Sequence, residues 1–131
     1  MPLVLLYNIP PGDKLRRIRT ALLRLGLTGR QVDRSEYGHP IGYLAGLEGF
    51  GPGEPYEGEG FTAEMLVMSG LDARQFNGLL DALRASRAAV TLKAVVTENN
   101  AAWDSEALYR ALAEEHATMR ELLAAKQKKK K

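Results

Sequence analysis

The residue types that most often carry chemistry are scarce in this sequence. The chain has no cysteine, so it offers no thiolate nucleophile, no thiolate metal site and no disulfide framework. Its two histidines, His39 and His116, lie far apart, and no motif links them. Because a metal site needs several converging ligands, we interpret His116 and its neighbour Glu115 as ordinary helix residues. The sequence therefore predicts no catalytic residue, no metal and no cofactor, and we expect a protein that is not an enzyme.

An acidic, glycine-rich segment at residues 48–61, called here the acidic loop, is the first candidate for binding. It lacks the spacing of a calcium-binding loop and of a phosphate-binding loop, and its glutamates would repel phosphate. Aromatic side chains on such a loop cost free energy in water, so they either fold back or contact a partner. The sequence predicts that the loop binds a protein partner. The residues predicted to do so are Phe50, Tyr56, Phe61, Glu54 and Glu57.

Basic residues suggest an alternative partner, because charge is distributed unevenly along the chain. Residues 1–34 carry seven Lys or Arg and two Asp, whereas residues 35–64 carry six Glu and no Lys or Arg. A basic first helix and a lysine-rich end are typical of a nucleic-acid accessory protein. The strands, however, lack the aromatic residues with which RNA-binding sheets stack on bases. The residues assigned to this alternative are Arg16, Arg17, Arg19 and Arg24.

A third candidate lies between the last strand and the last helix. Asn99, Asn100 and Trp103 could line a small-ligand pocket. The competing interpretation is structural, with Trp103 packed against the helix and the asparagines supplying hydrogen bonds in a turn. We favour the structural interpretation.

Positioning these residues requires an alternation of strands and helices. Apolar runs and alternating patterns predict four strands, at residues 3–8, 31–34, 65–69 and 90–97. Helical spacing and capping residues predict helices at residues 13–25, from Asp72, and from Asp104 or Ser105. Residues 41–47 are predicted to form a short helix or an irregular packed segment.

The order of these elements predicts the fold class. LVLLYN…LRRIRTALLRLG parallels MLVMSG…FNGLLDALRAS, so a strand-helix-strand unit occurs twice. We predict an α+β, two-layer α/β sandwich of the order β-α-β-(loop)-β-α-β-α, ferredoxin-like. The alternative is a small open α/β sheet with mostly parallel strands. A single domain is expected over residues 1–125, followed by a disordered lysine tail at 126–131.

The second half of the sequence also resembles a known family. The features are a strand ending in Gly70-Leu71, the run Leu92 to Thr97, and a final helix preceded by Trp103. Together they are similar to an uncharacterised bacterial domain family, number 3783 among domains of unknown function, over roughly residues 64–120. The resemblance implies a domain and supplies no activity, cofactor or site residue.

These observations combine into one functional hypothesis. We expect a non-catalytic binding domain that engages a protein partner through the acidic loop. Regulation of that partner is one role that such a domain could have. The apolar run Leu3 to Tyr7 is too short to span a membrane, so we expect a cytoplasmic location and no membrane contact. A homodimer is a further expectation, because exposed edge strands pair readily.

Overall fold

The structure, a computed structural model, describes residues 2–129 and the side chains as far as Ala124. The described elements agree with the predicted order. The strands are β1 (Leu3–Tyr7), β2 (Thr28–Gln31), β3 (Met65–Ser69) and β4 (Leu92–Val95). The helices are α1 (Asp13–Arg24), α2 (Ile41–Leu44), α3 (Ala73–Ala85) and α4 (Ser105–Lys129), with a 3-10 turn at Arg34–Glu36.

The four strands form one open mixed sheet in the order β2-β1-β3-β4. β1 is parallel to β2 and β3 is parallel to β4, while the two central strands, β1 and β3, are antiparallel. The predicted α+β class is therefore confirmed. The alternative of an open sheet with mostly parallel strands also fits, since two of the three pairings are parallel. The strands of each strand-helix-strand unit are direct neighbours, with no strand of the other unit between them.

The central strands are buried on both faces, which explains their continuous apolar sequences. Val4 and Leu6 of β1 face a core that α1 and α3 cover. Leu5 and Tyr7, which alternate with them, face a second core built from residues 32–61 and the start of α4. The sheet thus has two regular helices on one face and a mostly irregular covering on the other.

The ends of α1 and α3 show how closely the two units repeat each other. Gly26 follows α1 with φ 72°, and Arg87 follows α3 with φ 57°. In each case the next residue donates its backbone N–H, over 2.9 Å, to a carbonyl of the last helical turn, that of Leu22 or Leu83. This arrangement is a Schellman motif, which needs a left-handed residue and therefore favours glycine. Arg87 adopts that conformation without the freedom of glycine.

Two strands were misplaced, and the first strand ends at Tyr7 rather than at residue 8. The second strand is Thr28–Gln31 rather than residues 31–34, and only Val32 extends its pairing, by a bond from its N–H to the Leu6 carbonyl (3.0 Å). A capping box between Asp33 and Glu36 then starts the 3-10 turn, which excludes those residues from the strand. The fourth strand is Leu92–Val95 rather than residues 90–97.

Helix α4 extends further than predicted. It continues to Lys129, so residues 126–129, predicted as part of a disordered tail, belong to the helix, and residues 130–131 lie outside the described part. Alanine, leucine, glutamate and lysine dominate the sequence of α4, and all four favour helix. No helix of residues 2–129 is long and apolar enough to cross a bilayer.

Candidate functional site

The three aromatic residues of the acidic loop fold back onto the domain, and Phe61 does so most completely. Phe61 is only 8% exposed, and its ring lies between Tyr37 and Tyr109. The ring centroids are 4.7 Å from Tyr37 and 4.2 Å from Tyr109, and both pairs are stacked. These aromatic residues were expected either to fold back or to contact a partner, and Phe61 folds back. In this conformation its ring is part of the core and is not available to a partner.

Tyr56 and Phe50 anchor the middle and the beginning of the loop. The Tyr56 hydroxyl donates to Glu106 of α4 over 3.1 Å and accepts from the Gly60 backbone N–H over 3.0 Å. The Phe50 ring lies so close to Gly42 that a Cβ at position 42 would be 2.6 Å from it. Both rings are half-buried. The aromatic residues predicted as contacts therefore act first as anchors.

Close backbone contacts complete the base of the acidic loop. The Gly53 N–H donates to Nδ1 of His39 over 2.9 Å, so this histidine accepts a structural hydrogen bond. A Cβ at Gly38 would lie 2.1 Å from the carbonyl oxygen of Glu54, a distance at which only glycine fits. Glycine is thus required at position 38, where two segments of the chain pass each other closely, and the loop has a defined conformation.

What the loop presents to solvent is negative charge. Glu54 and Glu57, two of the predicted contact residues, are exposed, and so are Glu48 and Glu59. None of these four carboxylates forms an ion pair within residues 2–124. No group of three or more metal-ligating side chains occurs in the described part either. Four carboxylates on a pinned loop form an acidic surface.

The arginines predicted for nucleic acid divide into two sets. Arg16, Arg17 and Arg24 line a groove of about 510 Å³ between α1 and α3, whereas Arg19 is exposed away from it. The Arg17 guanidinium crosses the groove and donates to the Ser86 carbonyl over 3.0 Å. The rest of the lining is formed by Leu25 and by small residues, so the groove combines an apolar floor with a basic rim. The lining includes Ala21, Gly78, Ala82 and Ala85.

Of the three residues predicted for a small ligand, Asn100 has a structural role in a turn. The Asn100 side chain accepts from the Thr97 N–H (2.8 Å) and donates to the Val95 carbonyl (3.0 Å), which ends β4. The carbonyl of Trp103 accepts from the Ile41 N–H over 2.7 Å, and Trp103 is 41% exposed. Asn99 is exposed. The polar groups of Asn100 are thus engaged in structural bonds, as the favoured interpretation predicted for a turn.

Sequence reasoning missed Asn8, which holds the end of the acidic loop. Its amide donates to the carbonyls of Phe61 (2.8 Å) and Ala63 (3.0 Å), and its oxygen accepts from the Tyr37 hydroxyl (3.4 Å). Asn8 has φ 59°, and asparagine tolerates this conformation better than most residues. The sequence signal that could have identified Asn8 is the internal strand-helix-strand repeat. The matching residue after β3 is Gly70, which has φ 76°.

Asn8 also borders a crevice of about 710 Å³ at the carboxyl ends of β1 and β2. Ligands of open α/β sheets often bind at such strand ends. Here two of the lining polar groups serve the fold, since Asn8 holds the loop and the Asp33 carboxylate caps the 3-10 turn. Hydrogen bonds from the Ser35 hydroxyl and N–H lower the pKa of Asp33. The crevice is also lined by Gln31, Arg34 and Thr62.

The fold and these surfaces define a small α+β domain whose accessible features are an acidic loop and a basic groove. Residues 64–119 match the model of a family described as a domain of unknown function (DUF3783), which confirms the resemblance seen in the sequence. The matched part contains β3, α3, β4 and α4 as far as Met119, which is less than half of the chain. No curated protein and no solved structure matches the chain.

Proposed function

We propose that this protein is a non-catalytic binding domain that docks a basic protein surface through its acidic loop. The observation that supports the proposal is the contrast between the two sides of the loop. Its aromatic residues are anchored in or against the core, while four carboxylates face solvent. The loop therefore offers charge rather than an apolar patch.

A pinned loop is a favourable recognition element because little conformational entropy is lost on binding. The hydrogen bonds of Tyr56, His39 and Asn8 hold its middle, base and end. Exposed carboxylates contribute to specificity and association rate more than to affinity, so binding should weaken as salt rises. A cytoplasmic location belongs to the same proposal and can be tested by fractionation of the host.

The test replaces charge without disturbing the anchors. Deleting residues 50–60 would remove Tyr56 and Phe50 as well as the glutamates, so Glu54→Gln/Glu57→Gln is the cleaner variant. A matched control is Glu98→Gln/Glu114→Gln, which removes two exposed carboxylates outside the loop. Each purified protein is used to capture partners from a lysate of the native host, with quantitative mass spectrometry at low and moderate salt.

We expect proteins with basic surfaces to be retained by the wild type and the control and lost by the loop variant. Retention should also fall between about 50 and 200 mM salt. Equal retention by the wild type and the loop variant would refute the proposed role of the acidic loop.

A second candidate function, binding of nucleic acid, is favoured by the gathering of three arginines around one groove. Fluorescence anisotropy with a labelled single-stranded RNA and a duplex DNA tests it. Arg17→Gln/Arg24→Gln should abolish binding, and Arg19→Gln/Arg74→Gln should weaken it only slightly because neither residue lines the groove. Absence of binding by the wild type at about 50 mM salt would remove this candidate.

A further inference from the structure

The described part of α4 runs beyond the domain core into solvent. The helix packs on the domain through Leu108 and Leu112, but every residue from Glu114 to Ala124 is exposed. Three large apolar side chains lie in this stretch, Met119, Leu122 and Leu123, each between 54% and 56% exposed. An unsupported helix of this length is only marginally stable in water. A surface that covers these side chains would stabilise the helix.

The spacing of residues along α4 shows which face is left uncovered. Leu108, Leu112, Glu115, Met119 and Leu122 follow one another at steps of four, three, four and three. This is the spacing of a coiled-coil seam. The face that packs on the domain therefore continues beyond it as an apolar seam, interrupted by Glu115. The next position in the series, 126, is a lysine in the sequence.

We propose that the α4 helices of two copies of this chain pair antiparallel along this seam. With the two-fold axis between positions 120 and 121, Met119 lies opposite Leu122 of the second copy. Glu115 then lies opposite position 126. A parallel pairing would place Glu115 against itself and lysine against lysine, so the charges of the seam select the antiparallel arrangement of two identical helices.

The length of the seam indicates how strong this dimer is. From Glu115 to position 126, the two ends of the paired segment, the helix rises about 16 Å, which is three turns. Two helices paired over three turns bury less than the roughly 1,200–2,000 Å² of a standard stable interface. We therefore expect a reversible dimer with a dissociation constant in about the micromolar range.

Sedimentation equilibrium of the full chain between about 1 and 500 μM measures this association. Leu122→Glu places a charge in the centre of the seam and should raise the dissociation constant by at least about tenfold. The matched control is Leu23→Glu, the same change at an 80% exposed leucine of α1, which should leave association unchanged. Circular dichroism and thermal melting check that both variants keep the domain fold.

A charge-exchange series tests the antiparallel register. Glu115→Lys alone and Lys126→Glu alone should each weaken the dimer, since each creates two like-charged contacts. The double variant Glu115→Lys/Lys126→Glu should restore it, because each lysine again faces a glutamate. Failure of the double variant to restore association would overturn the proposed pairing.

Two other results would also overturn the proposal. One is a wild-type protein that stays monomeric at about 500 μM, and the other is a dimer that Leu122→Glu leaves intact. If a monomeric wild type instead sediments with vesicles that contain phosphatidylserine, and Leu122→Glu does not, the seam is covered by lipid rather than by a second copy.

Discussion

The hydrogen bond between Tyr7 and Ser105 yields a sharp prediction about how α4 is held on the sheet. The two hydroxyl oxygens are 2.8 Å apart, and both residues are completely buried. Tyr7→Phe removes this bond and leaves the Ser105 hydroxyl buried without a partner. A lost bond between neutral groups and an orphaned buried hydroxyl together cost about 2 kcal/mol. Ser105→Ala should cost a similar amount, because it orphans the phenol.

The double variant Tyr7→Phe/Ser105→Ala distinguishes this bond from simple loss of packing. It removes both polar atoms, so no hydroxyl is left unpaired, and it should be no less stable than either single variant. The coupling free energy should be about 2 kcal/mol, measured by urea unfolding at pH 7. Tyr43→Phe, whose hydroxyl has no hydrogen bond within residues 2–124, serves as the control. Additive destabilisation by the two single changes would refute this account of the contact.

Three further predictions concern the loop, a helix end and pH. Gly38→Ala should destabilise the protein by about 1–3 kcal/mol because its Cβ would meet a backbone carbonyl, whereas Gly51→Ala, with open space around it, should be neutral or slightly stabilising in the same urea titration. Arg87→Gly should raise stability by about 0.5 kcal/mol, since it relieves a left-handed arginine, and an unchanged urea midpoint would contradict this. Burial raises the pKa of both Tyr7 and Tyr37, so the unfolded state releases protons first and the unfolding free energy should fall as pH rises above about 10. Urea titrations at increasing pH should show a smaller fall for Tyr7→Phe than for the wild type.

Periodicity predicted the elements that bury an apolar face by themselves. The strand Met65–Ser69 is confirmed at both ends, and the capping pair Asp72 and Gln75 marks the start of α3. The second strand was misplaced because three of its four residues are exposed and it lies at the edge of the sheet, so no apolar alternation marks it. Its place depends on pairing with β1, which a local pattern does not contain.

The candidate surfaces were predicted in part, for a related reason. Exposed charge can be recognised from composition, and Glu54 and Glu57 are indeed exposed. The sequence could not decide whether the aromatic residues of the loop fold back or contact a partner. Phe61 is buried by Tyr37 and Tyr109, which are distant in sequence. The arginine groove depends on how α1 and α3 lie side by side, and that arrangement follows from strand order.

The antiparallel pairing of β1 and β3 makes the two halves of this chain resemble subunits. All five residues of β3 are paired with β1, from Met65 opposite Tyr7 to Ser69 opposite Leu3. A fragment limited to residues 64–119 would therefore leave that edge bare, with apolar side chains on both faces of the strand. Such an edge pairs readily with another chain. A second fragment could take the place of β1, so the residues that connect the two units act as a tether that makes this association intramolecular.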